Sequence, residues 1–151
     1  MHAIASKNDE GGGRFAVAMT AQENQRFMTG IHNDYKQYYG MLGRVNAETS
    51  DCSRASDRES IHEGIRRSVG FAKLSRMVFG VMERWMEERL RGQAAASAAA
   101  GDEKGSMDWN ATLAVILLEQ GRHDEAVAIH EDVLKYRRRV LPENHPDIGV
   151  T

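Results

Sequence analysis

Apolar residues recur at intervals of three and four along most of this chain, and the places where the recurrence stops divide it into helices. The clearest case is 111–146, ATLAVILLEQGRHDEAVAIHEDVLKYRRRVLPENHP. Leu113, Ala114, Ile116, Leu117 and Leu118 form one stripe, which stops at Gly121. Ala126, Val127, Ile129, Val133, Leu134 and Leu141 form a second, beginning near Asp124. Each stripe predicts a helix that buries one side. Gly121 supplies the left-handed residue that ends the first helix tightly, and so short a link makes the two helices antiparallel neighbours. Pro142 and Pro146 punctuate the far end.

Upstream the same rhythm is interrupted more often. Thr20-Ala-Gln-Glu23 has the form of a capping box. Met28, Ile31, Tyr35, Tyr38 and Leu42 then share one face of a helix predicted over 21–42, weakened at Gly30 and Gly40. The tyrosines, with Phe27 and Met41, read as core rather than as an aromatic docking patch. Ser56-Asp-Arg-Glu59 is a second capping box, opening a short helix with Ile61 and Ile65 inward and a break at Gly70. A third helix, over 71–91, carries Leu74, Met77, Val78, Val81, Met82, Trp85 and Leu90 in its stripe; Phe79 and Met86 widen the arc. Glu87 and Arg91 form a favourable i,i+4 pair on it. The chain therefore divides into a polar tail over 1–19, a helical segment over 20–92, an Ala/Ser/Gly linker over 93–106, and the helix pair over 107–151.

Composition narrows the options without naming one. The 151 residues carry 20 Lys and Arg against 22 Asp and Glu, a net charge of −2, which argues against a dedicated nucleic-acid or anionic-membrane surface. The single cysteine, Cys52, cannot form an internal disulfide and fits a reducing compartment. No apolar run is long enough to span a bilayer, and the start lacks a signal-peptide core. Cytoplasm is the expected location.

Candidate chemistry is sparse. His62 has no second histidine four residues on. His123 and His130 are two helical turns, about 10 Å, apart, long for one metal ion. The pairs Asp124-Glu125 and Glu131-Asp132 sit at a helix start or on an exposed face, where the helix dipole explains the first. Gly11 to Gly13 lack the strand and the Lys-Ser/Thr of a phosphate loop. Lys135 and Arg137 to Arg139 read as a solvated basic face. No enzyme, no metal site and no cofactor is expected; catalysis by the histidines is the weakest option.

Taken in order, Leu113-Ala114, Gln120-Gly121-Arg122, Asp124-Glu125-Ala126, Leu134, Arg137, Val140-Leu141 and His145-Pro146-Asp147 resemble the tetratricopeptide repeat of the kinesin light chain type. The family's asparagine pair falls at Ala111 and Thr112, its usual tyrosine at Leu117, a further aromatic at His130, an alanine at Val133 and a glycine at Pro142. The resemblance is thus to one degenerate or truncated repeat.

It implies an all-α fold: a helical front segment followed by one helix-turn-helix of this kind, a fragment of an α-solenoid. Leu113, Ala114, Gly121, Ala126, Leu134, His145 and Pro146 would be its structural residues. A repeat of this kind cannot bury its faces alone, so the chain reads first as a piece of a longer array, and second as one repeat capped by upstream helices. In the family the first helices line a groove that takes a peptide. Periodicity places Asn110, Thr112, Val115 and Glu119 on one side of that helix as the groove candidates. The function expected is a protein-interaction scaffold for a protein or peptide partner, with no nucleic acid and no membrane. The alternative is a structural or regulatory segment that forms a homo-oligomer through Met28, Tyr35, Tyr38, Met82 and Trp85, its repeat vestigial.

Overall fold

The computed structural model describes residues 2–5, 16–51, 53–143 and 145–149; Cys52 and the glycines at 11–13 lie outside them. Two short strands, β1 (His2–Ala5) and β2 (Ala16–Met19), are followed by seven helices: α1 (Ala21–Asn33), α2 (Tyr35–Leu42), α3 (Ala55–Arg67), α4 (Phe71–Ala99), α5 (Glu103–Glu119), α6 (His123–Val140) and α7 (Pro146–Gly149). The all-α expectation holds apart from the ribbon. β1 and β2 pair antiparallel, with His2 opposite Met19 and Ala5 opposite Ala16. Part of the predicted tail is therefore strand. Its signal is a period of two: Val17 and Met19 pack against the core while Ala18 between them is exposed.

The capping box at Thr20 is present, with Thr20 Oγ1 accepting from the Glu23 amide and the Glu23 carboxylate accepting from the Thr20 amide. The single helix predicted over 21–42 is two. Asp34 leaves helical geometry at φ −150°, ψ 74°, and its carboxylate accepts from the Gln37 amide at 3.1 Å, so it caps α2. The hydrophobic stripe continues across the break, which is why periodicity alone misses it. Gly30 makes the fold-back possible: a Cβ there would lie 2.0 Å from Tyr38 Oη. The Tyr38 ring instead lies close over α1, edge-on to Phe27 at 5.6 Å between centroids.

α3 begins one residue before the predicted cap, and Ser56 does not cap it; Arg54 precedes the helix without a side-chain bond. Its inward face also differs from the prediction. Ile61 is 51 % exposed, and the buried side chain is His62, whose ring meets Phe71 edge-on at 5.0 Å. A flat ring between the helices α3 and α4 takes the place predicted for the isoleucine.

The predicted linker is mostly helix. The alanine run continues α4 to Ala99, a turn at Gly101 follows, and α5 starts at Glu103. Alanine's helix propensity, with no bulky side chain to satisfy, explains the extension. The stripe on α4 is buried only toward its second half, at Trp85, Met86, Leu90 and Ala94; Met77 is 53 % exposed.

α4, α5 and α6 lie side by side in sequence order, and α1 and α2 close over α4 and α5. One core results: Met28, Ile31 and Leu42 from the front helices pack with Trp85, Met86 and Leu90 of α4, Leu113, Ala114, Ile116 and Leu117 of α5, and Ala126 of α6. Each fully buried aliphatic side chain contributes about 1.5–3 kcal/mol. Met28, Tyr35, Tyr38, Met82 and Trp85, the stripe considered for oligomerisation, are used in this core or packed against it.

Candidate functional site

The α5–α6 pair is the predicted helix-turn-helix. Asp102 caps α5, accepting from the Gly105 amide at 2.8 Å. At the far end Gly121 takes φ 74°. Its amide donates to the Leu118 carbonyl and the Arg122 amide donates to the Leu117 carbonyl, both at 2.9 Å. These are the two bonds of a Schellman turn, and they satisfy carbonyls that a helix end otherwise leaves open. Leu113, Ala114 and Ala126 are buried, and Leu134 is half-buried. His145 and Pro146 open α7, where His145 Nδ1 accepts from the Asp147 amide at 3.2 Å.

A charged clasp holds this pair to α4. Arg122 grips Glu125 with both ends of its guanidinium at 2.6 Å and donates to Glu87 with a third nitrogen. Glu87 also accepts from Arg91 at 2.9 Å, and Arg91 lies 3.6 Å from Glu125. Arg122 holds the exposed Glu125 carboxyl below its usual range. The Glu87–Arg91 pair is legible from spacing; the Arg122–Glu87 contact is not, because it joins residues distant in sequence. Arg139 to Glu103 closes the open ends of the two helices.

The four groove candidates separate. Thr112, Val115 and Glu119 follow at intervals of three and four and share a side of α5. Asn110 does not: two positions before Thr112, it is about 200° round the helix. The four therefore do not share one side of the helix. The side that the three share meets the front helices. Thr112 Oγ1 lies 3.3 Å from His32 Nδ1 and donates to the Asp108 carbonyl at 3.2 Å. The His32 ring meets Trp109 at a tilt of 51°, with centroids 4.9 Å apart. Beyond His32, α1 presents Gln22, Gln25, Arg26, Thr29, Gly30 and Asn33 around an open depression of about 460 Å³.

His130 is half-buried, with Nδ1 enclosed and lacking a hydrogen-bond partner. Burial, then the nearby Arg137 charge, lowers its pKa. Its ring serves packing in this arrangement. Burial pushes the Tyr39 hydroxyl up, and the Glu83 carboxylate that accepts its proton adds to the effect; this bond ties α2 to α4.

The helix pair, its Schellman turn and its loop residues coincide with a known unit. The family model described as tetratricopeptide repeat matches residues 111–147. The match spans about a quarter of the chain and bears on that stretch alone. No curated protein and no solved structure matches the chain. The repeat is flanked by α4 on one side of α5 and by α1 and α2 on another.

Proposed function

We propose that the chain is a protein-interaction module built on this repeat, of the kinesin light chain type, and that it acts in the cytoplasm by binding rather than by catalysis. The observation that carries the reading is the match of 111–147 to the tetratricopeptide repeat, a unit whose helices stack to present a binding face. The front helices take the place of a preceding helix pair, and the binding face is the strip where α1 and α5 meet. Thr112, Val115 and Glu119 form one edge of it, His32 the junction, and the amide and hydroxyl side chains of Gln25, Thr29 and Asn33 the other edge.

Such groups both donate and accept, which suits the exposed backbone of an extended peptide more than an apolar anchor. No helix among the described residues is long and apolar enough to cross a membrane. The test is a peptide array probed with the whole chain, followed by Kd measurement on the best binder. His32→Ala with Thr112→Ala is expected to weaken binding about tenfold. Unchanged binding removes this strip as the site, and an array with no binder removes the peptide reading.

A further inference from the structure

The outer side of α6 carries a seam that the described elements leave largely open. Asp124, Val127, Glu131, Leu134 and Arg138 follow one another at alternating intervals of three and four, the spacing that keeps side chains in line along a paired helix. α6 packs on α5 and α7. Of the five, Leu134 is half-buried and the rest are exposed, with Val127 53 % open to solvent. Among the described residues Asp124 and Arg138 make no ion pair and no side-chain hydrogen bond, although Lys135, Arg137 and Arg139 around them are all engaged.

Read in reverse, the seam complements itself about its middle. Asp124 and Arg138 lie equally far from Glu131 with opposite charge, and Val127 and Leu134 flank it closely, both apolar. We infer that α6 pairs antiparallel with α6 of a second copy of this chain, about a two-fold axis at Glu131. In that single register Asp124 of each copy meets Arg138 of the other, about 10 Å from the axis on either side, and Val127 lies within one residue, about 1.5 Å, of the level of Leu134. A parallel pairing sets Asp124 against Asp124 and Arg138 against Arg138, which is repulsive. An isologous contact of this kind closes on itself and stops at the dimer. Glu131 meets its own copy on the axis, and this like-charge contact, with only two apolar layers, keeps the dimer weak and reversible.

Sedimentation velocity on the full chain over a concentration series tests this. A reversible monomer–dimer equilibrium is expected. Asp124→Arg or Arg138→Asp alone weakens it by about tenfold or more, because each replaces two attractions with two repulsions. The two exchanges together restore it, and Glu131→Gln tightens it. All three positions are exposed, so the variants keep the fold, which circular dichroism verifies. A chain that stays monomeric throughout, as it would if this face served a different protein, overturns the inference. So does a dimer indifferent to the single reversals, or a double exchange weaker than either reversal alone.

Discussion

α3 and α5 teach most when set side by side. Both are amphipathic helices whose apolar residues recur at helical spacing. α5 touches α4, α6, α1 and α2, and buries Leu113, Ala114, Ile116 and Leu117. α3 packs chiefly on α4, and among its described side chains no aliphatic one is fully buried. Spacing sets which residues share a face; the number of neighbouring helices sets how much of that face leaves water.

Paired truncations break this comparison most directly. Leu117→Ala on α5 is expected to cost about 2–5 kcal/mol, because it removes a fully enclosed side chain from tightly packed neighbours. Ile61→Ala on α3 is expected to change stability by less than about 0.5 kcal/mol. Urea denaturation of both variants checks the pair, and equal losses would mean α3 is as integral as α5.

Next in size is Gly121. Its φ of 74° is costly for a side chain with a Cβ, so Gly121→Ala is expected to lose about 1 kcal/mol in the same assay. The clasp comes after it. Arg122→Ala removes a partner from Glu87 and from Glu125, but Arg91 still pairs with Glu87 and Glu125 is half exposed, so thermal melting should register a loss of about 1 kcal/mol, shrinking at high salt.

The smallest effect concerns pH. His130 is held below its ordinary value of 6.5, so the unfolded chain takes up its proton first. The stability that the neutral ring contributes is present above that value and is lost as pH falls through and below it. His130→Leu should flatten the pH dependence of the melting temperature in this window.

Much of the α5–α6 pair was legible because its signals are local: two stripes, a glycine between them, prolines beyond. The capping box at Thr20 was legible for the same reason. The break at Asp34 was not, since a cap inside an unbroken stripe competes with periodicity and here wins by folding Tyr38 over Gly30. The segment 93–106 reads as a linker by its low complexity, yet the helix propensity of its alanines, with Ala94 buried, carries α4 on to Ala99. Periodicity holds for Thr112, Val115 and Glu119, whereas Asn110, two positions from Thr112, falls on the opposite side of α5. The contacts of His32 with Thr112 and Trp109, and of Arg122 with Glu87, join residues far apart in sequence, and no spacing rule reaches them.

The central claim is that the front helices and the repeat share one core and unfold as one body. Native-state hydrogen exchange of the Ile31 amide in α1 and the Leu117 amide in α5 tests it most directly. Equal opening free energies at the two positions, moving together in denaturant, are the predicted result. Retained protection at Leu117 after Ile31 has exchanged would show that the repeat stands without its cap, and would contradict the account.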